Sequence, residues 1–164
     1  MEYRQARYLC PADAILRLVE WVDAIRTPVM TADQIELVRK SFDGLWPVRR
    51  KLAELFYSRF FELAPEARRL FPDSMEKQNL KLMDALAAMV GALDQREIFQ
   101  SVITHSAHQH AQFGATPSHF VAFGEALMWG LQQQFGPAFT PELREAWSTL
   151  YDTMQSKMVR ARSD

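Results

Sequence analysis

The chain has 164 residues and a net charge of −1, so it can hold one domain with a substantial core and gives no electrostatic reason to expect nucleic acid as a partner. Its single cysteine, Cys10, excludes an internal disulfide framework and fits a reducing compartment. No apolar run approaches the roughly 20 residues of a membrane span, and the N-terminal sequence lacks the apolar region of a signal peptide, so we expect a cytoplasmic protein that binds no membrane.

The first predicted element is an amphipathic helix within an N-terminal extension, residues 1–30. Five apolar side chains recur there at helical spacing: Ile15, Leu18, Val19, Val22 and Ile25. Asp13 can cap this helix, and the Thr27-Pro28 pair would end it. Because burial of such a stripe is favourable, we expect it to dock on its own chain or on a second copy, in a monomer or a homodimer, in preference to a foreign partner.

Residues 31–164 are predicted to form an all-α domain. Helical periodicity runs through this part of the sequence, and strand signals are nearly absent. Prolines and capping residues divide it into helices at 31–45, 48–63 and 75–93, a histidine-bearing helix between a corner at 94–99 and Gly114, and helices from 117 and from 141. A short turn is predicted at 65–72. The domain is predicted to contain seven to eight helices, with the N-terminal helix in addition.

The apolar positions of these helices are predicted to form the core. They include Ile35, Val38, Phe42, Leu45, Leu52, Leu55, Phe56, Phe60, Leu63, Leu82, Leu86, Met89, Val90, Leu143, Trp147, Leu150, Tyr151 and Met154.

One stretch of the sequence is unusually poor in charge and rich in rings. Between Ile98 and Pro141 the only formally charged residue is Glu125, yet this stretch holds seven aromatic residues and all four histidines of the chain: His105, His108, His110 and His119. A helical wall of this kind suits an enclosed, flat, apolar cofactor that needs one nitrogen ligand, and haem is such a cofactor. Apolar helices with a histidine also occur in cores that bind nothing, so both interpretations stay open at this point.

Four blocks of sequence, in matching order and spacing, resemble the globin family. LFYSRFFELAPEARRLF (55–71) looks like the globin B helix, C turn and CD corner, and QNLKLM (78–83) looks like the E helix. HAQFGATPSHF (110–120) resembles the F helix and FG corner, and EAWSTLY (145–151) the H helix. The nearest type is the single-domain bacterial globin related to flavohaemoglobins. The resemblance implies a three-over-three globin fold over residues 31–164 and haem b as the cofactor.

The resemblance also implies the roles of individual residues. His110, four residues before Gly114, matches the proximal ligand of the haem iron. Tyr57 matches the B-helix aromatic residue that reaches over the iron, and Phe71 matches the CD-corner phenylalanine that stacks on the porphyrin. Gln78 matches the distal polar residue of the E helix. Leu82 lies on the same helical face as Gln78 and matches the apolar residue that closes the pocket.

Other residues near these blocks have two open interpretations each. Lys81 pairs with a haem propionate or is a solvated lysine, and His119 contacts a propionate or packs in the corner beside Phe120. His105 and His108, three residues apart, have the spacing of a metal-binding pair. Because no carboxylate is close to them in the sequence, we expect ordinary polar or core roles for both.

Two departures from the family pattern concern the proximal side. Ser106 stands where related proteins often have a leucine, and its hydroxyl is placed to accept a hydrogen bond from the Nδ1–H of the proximal histidine. Phe120 stands where flavohaemoglobin-like proteins often have a tyrosine, and Arg160 and Arg162 lie where the glutamate coupled to that tyrosine is expected. The network that polarises the proximal histidine in those proteins therefore lacks two members here.

The function implied by the resemblance is reversible binding of O₂, and also of NO and CO. Tyr57 and Gln78 are expected to stabilise O₂ through hydrogen bonds, and slow O₂ release would suit NO dioxygenation. No flavin or dinucleotide-binding sequence follows the globin-like region, so we expect any reductase to be a separate protein. A six-coordinate sensor or electron-transfer globin and a haem-free globin-like interaction module stay open as alternatives.

Overall fold

The computed structural model describes residues 30–160, and the predicted N-terminal helix lies outside this range. Within the described part, the chain forms six α-helices, three short 3₁₀-helices and no strand, which confirms the all-α class. The α-helices are α1 (Ala32–Leu45), α2 (Arg49–Leu63), α3 (Glu76–Gly91), α4 (Arg96–Gln112), α5 (Pro117–Phe135) and α6 (Pro141–Arg160). The 3₁₀-helices are Trp46–Val48, Pro65–Leu70 and Gly136–Ala138.

Local sequence signals define the ends of several helices. At the start of α1, the Gln34 N–H donates to Thr31 Oγ1 (3.2 Å) and the Thr31 N–H donates to Gln34 Oε1 (3.0 Å), which is the predicted capping box. The end of α4 is a left-handed turn at Gly114, where φ is 76°. There the Ala115 N–H donates to the His110 carbonyl (3.0 Å), so His110 lies in the last turn of α4.

The start of α4 differs from the prediction. A corner was expected over residues 94–99, but the helix already begins at Arg96, and the Phe99 N–H donates to the Gln95 carbonyl (2.8 Å). Arg96 and Glu97, the first two residues of α4, are polar and exposed, so they carry no apolar periodicity that would have indicated a helix.

The helices pack in two layers around one core. Helices α1 and α2 both contact α3, and α4 and α5 both contact α6. Between the layers, α2 lies against α5 in the most extensive contact of the fold, and α1 lies against α6. This is a three-over-three helical arrangement, as predicted. None of the helices in residues 30–160 is both long and apolar enough to cross a membrane.

The predicted core is confirmed at all but three of its positions. Ile35, Leu55 and Leu63 are only partly buried. Ile35 and Leu63 lie in the first turn of α1 and at the last position of α2, and Leu55 lies at the margin of the buried face of α2. The centre includes Trp147, whose indole N–H donates to Ser41 Oγ (3.0 Å) and joins α6 to α1.

Candidate functional site

Tyr57 and Gln78 meet between α2 and α3. The Tyr57 side chain is buried, and burial raises the pKa of its hydroxyl to about 12. A hydrogen bond with the Gln78 side chain opposes this rise and shows that the two side chains are in contact. At neutral pH Tyr57 is therefore fully protonated, and its O–H is a hydrogen-bond donor.

Aromatic rings surround the Tyr57 ring. Phe71 presents its edge to Tyr57, with ring centroids 5.6 Å apart, and also contacts Phe61 at 5.2 Å and Phe60 at 6.0 Å. Phe61 stacks on Tyr57 at 5.8 Å. The structure thus brings Phe71 and Tyr57 together in one apolar cluster, next to Gln78.

Arg68 fixes the backbone that carries Phe71. Its guanidinium donates to the carbonyl oxygens of Phe71 (3.2 Å), Pro72 (3.1 Å) and Asp73 (3.2 Å). The same group lies 5.4 Å from the ring centroid of Phe61. We refer to residues 65–73 as the CD corner. Arg68 was not predicted as a site residue, since its sequence context indicates only a charged residue in a turn.

His110 makes a short hydrogen bond to its own helix. Its Nδ1 lies 2.6 Å from the backbone carbonyl oxygen of Ser106. The partner is thus not the Ser106 hydroxyl that we expected, because the ring folds back over the preceding turn, where the main-chain carbonyls lie. A carbonyl can only accept, so Nδ1 carries the proton and Nε2 of the neutral ring keeps its lone pair. The arrangement prepares Nε2 to bind a metal.

Phe120 packs beside His110 and is held in place by Tyr151. Phe120 is buried, and its ring centroid lies 5.9 Å from that of His110. The Tyr151 hydroxyl donates to the Phe120 backbone carbonyl, and burial raises the pKa of Tyr151. Gly124 makes room for the Tyr151 ring, because a Cβ at this position would overlap it. Sequence reasoning placed Tyr151 in the core but missed this role. No local sequence signal indicated it, because the approach of Gly124 to Tyr151 depends on how α5 packs against α6.

His119 has a protein partner at each ring nitrogen. The Thr116 N–H donates to Nδ1 (3.1 Å), which caps α5, and Nε2 lies 3.2 Å from Oε1 of Glu66 in the CD corner. We refer to residues 113–119 as the FG corner. A propionate contact of His119 stays a prediction, and it would require Nε2 to leave Glu66.

The remaining predicted residues fall into two groups. Leu82 is buried in α3, whereas Lys81 beside it is exposed. His105 and His108 are exposed on α4. Among residues 30–160, no group of three or more histidine, cysteine or acidic side chains is placed to hold a metal ion.

Comparisons with known proteins agree with this arrangement. The family model "Globin" matches residues 54–158. The chain is 30% identical over 140 residues to the neuroglobin of Tetraodon nigroviridis, covering 76% of this chain and 87% of the relative. It is 28% identical to the flavohemoprotein of Vibrio cholerae, covering 75% of this chain and 32% of that longer protein.

A solved structure with the same fold comes from a bacterium. It is an engineered carbene transferase, a putative nitric oxide dioxygenase from Rhodothermus marinus, with a TM-score of 0.73 and 27% identity. The match covers 82% of this chain and 94% of that one. Because the family model spans more than half of the sequence, and the helix order and packing agree with it, this chain belongs to the globin family.

Proposed function

We propose that this chain binds haem b through His110 and uses it to bind O₂, and also NO and CO. The observation that carries the proposal is the 2.6 Å bond between His110 Nδ1 and the Ser106 carbonyl, which commits one nitrogen and leaves Nε2 as a ligand for iron. Membership of the globin family supports haem as the occupant. Phe71, Leu82 and Phe120 supply apolar contacts for a porphyrin.

Two side chains are candidates for contacts with the polar groups of the cofactor. Lys81 is exposed and free to approach a propionate. His119 is the second candidate, on the exchange of its Glu66 contact described above. Of the two, we assign the propionate contact to Lys81, because His119 Nε2 already has the Glu66 carboxylate as its partner.

Tyr57 and Gln78 would act on the ligand. When bound, the haem iron supplies the chemistry that binds a diatomic gas. The protonated Tyr57 hydroxyl and the Gln78 amide can both donate to a ligand that carries partial negative charge, as O₂ does at ferrous haem. Each such hydrogen bond is worth about 1.5–3 kcal/mol, or roughly ten- to hundredfold in affinity. The pair therefore favours O₂ over the nearly uncharged CO.

Slow release of O₂ favours its reaction with NO. We infer that the protein supports NO dioxygenation, in which NO and O₂ combine to nitrate and one electron from a separate reductase restores the ferrous state. The similarity to a putative nitric oxide dioxygenase from Rhodothermus marinus supports this inference. So does the flavohemoprotein relative, of which this chain spans about a third.

Three measurements test the proposed function. Titration of the purified protein with hemin should give a Soret band that saturates at one haem per chain, and no band would leave a haem-free interaction module. The ferrous, ligand-free spectrum should be that of five-coordinate iron, whereas a six-coordinate spectrum would favour a sensor or electron-transfer globin. Rapid mixing of the O₂-saturated ferrous form with NO should then yield nitrate in equal amount to the NO consumed.

A further inference from the structure

The CD corner and the FG corner are joined by one side-chain contact between residues 53 positions apart in sequence. Glu66 Oε1 lies 3.2 Å from His119 Nε2. The His119 side chain is 11% exposed and the Glu66 side chain 56% exposed, so the histidine lies inside the corner and the carboxylate reaches it from the surface.

The hydrogen bonds of His119 fix its tautomer. The Thr116 N–H points at Nδ1, so Nδ1 must accept and the proton of the neutral ring lies on Nε2. Nε2–H can then donate to the Glu66 carboxylate, a charge-assisted bond. Because both nitrogens are engaged, the ring cannot rotate without losing a bond. Glu66 is thereby held at a fixed position relative to the start of α5.

On the CD side, Glu66 is linked through Arg68 to the backbone that carries Phe71. Glu66 lies in the 3₁₀-helix Pro65–Leu70, two residues before Arg68. Arg68 binds three successive carbonyls that begin at Phe71. Movement of Glu66 would therefore be transmitted to the Phe71 ring and to its contact with Tyr57.

On the FG side, His119 is linked through Phe120 to the His110 ring. His119 is followed directly by Phe120, which packs against the His110 ring and is held by Tyr151. The Glu66 and His119 pair thus connects the segment that carries the aromatic cluster with the segment that carries the proposed iron ligand, His110.

We propose that Glu66 and His119 are positioning residues that hold the two corners together and so slow the escape of haem from the site. The role in haem retention rests on the proposed function. The coupling of the two corners does not, since it is a property of the protein without cofactor.

The test is a charge exchange that preserves the helix cap. In His119→Glu, the new carboxylate can still accept from the Thr116 N–H, because glutamate is a preferred residue at this capping position. This new carboxylate faces the Glu66 carboxylate, so the two negative charges repel each other. In the double variant Glu66→Lys with His119→Glu, attraction is restored with the partners reversed. Glu62→Gln is the matched control, since it removes an equally exposed carboxylate that pairs with Arg59 instead.

Haem loss is measured by transfer of hemin from the loaded protein to an excess of a haem-scavenging apoglobin. We expect loss from His119→Glu to be roughly two- to fivefold faster than from the wild type, since one partner is largely exposed. The double variant should return close to the wild-type rate, and Glu62→Gln should not differ from it. Accelerated loss without recovery in the double variant, or an unchanged rate in His119→Glu, would overturn the proposed role in retention.

Hydrogen exchange in the protein without haem gives an independent readout. Amides of both corners should exchange faster in His119→Glu and recover in the double variant, while those of α1 and α6 stay unchanged. Faster exchange in the FG corner alone would show that the corners are not coupled and would overturn the proposal. If the wild-type protein binds no hemin, the proposed function and the role in retention fail, and the exchange data alone decide whether the corners are coupled.

Discussion

The Tyr57 hydroxyl and the Gln78 side chain are hydrogen bonded to each other between α2 and α3, beside the ring of Phe71. The pair brings two polar groups into an otherwise apolar cluster. Burial of a hydroxyl without a partner costs about 1–3 kcal/mol, and this bond avoids that cost. The two groups are thereby held ready for a polar ligand.

Replacement of Tyr57 by phenylalanine should accelerate O₂ dissociation by roughly ten- to hundredfold, because one hydrogen bond to a charged ligand is lost. Gln78→Leu should act in the same direction. Flash photolysis and stopped-flow measurements give both rates, with CO as the internal control. CO carries little charge and should respond much less. Equal effects on O₂ and CO would mean that Tyr57 acts through its shape alone.

The stability of the protein without haem should fall in alkaline solution. The pKa of Tyr57 is about 12 in the folded state and 10.0 in its unperturbed state, so above pH 10 the unfolded chain loses its proton first. Unfolding is then favoured, and the loss of folding stability is complete near pH 12. For a shift of this size the loss is about 3 kcal/mol. Urea unfolding measures the free energy of unfolding at pH 8 and pH 11. The decrease between these pH values should be smaller in Tyr57→Phe than in the wild type, and an identical decrease would contradict the raised pKa of Tyr57.

Gly124→Ala should destabilise the fold by about 1–3 kcal/mol, because the added methyl group overlaps the Tyr151 ring. Gly44→Ala is the matched control, since a Cβ there meets no atom within 4 Å, and alanine should stabilise α1 by about 0.5–1 kcal/mol. Thermal unfolding measures both. Tyr151→Leu should reduce the cost of Gly124→Ala, and strictly additive effects would place the clash elsewhere.

Arg68→Met should loosen the CD corner and weaken hemin binding, because three backbone carbonyls lose their donor. Arg68→Lys should restore little, since an ammonium group cannot reproduce the planar set of donors. Arg69→Met is the control at an exposed neighbour. Competition for hemin gives the affinities. An Arg68→Met protein with wild-type affinity would show that Phe71 is held by packing alone.

Much of the fold could be predicted from the sequence because its signals are local. The Thr31 and Gln34 capping box, the left-handed turn at Gly114 and the apolar periodicity each depend on residues within a few positions of one another. The positions of Tyr57, Gln78 and His110 came from the resemblance to a family, and the structure places the first two in contact.

The hydrogen bonds of the site could not be predicted in the same way. Glu66 and His119 are brought together by the packing of two corners, and no local pattern indicates which partner each will have. The hydrogen bond between His110 and Ser106 could not be predicted either, although the two residues are only four positions apart. The spacing of four residues was informative, but the choice between the Ser106 hydroxyl and its carbonyl depends on how the His110 ring folds at the end of α4.

The most direct test of the proposed haem site is the absorption spectrum of hemin-loaded His110→Ala, recorded with and without imidazole. We predict that the ferrous spectrum of the wild type is lost in this variant and that added imidazole restores it, because free imidazole can replace the Nε2 ligand. His105→Ala, altered on the exposed face of the same helix, should keep the wild-type spectrum. A wild-type spectrum in His110→Ala without imidazole would contradict the account and move the ligand to His105 or His108.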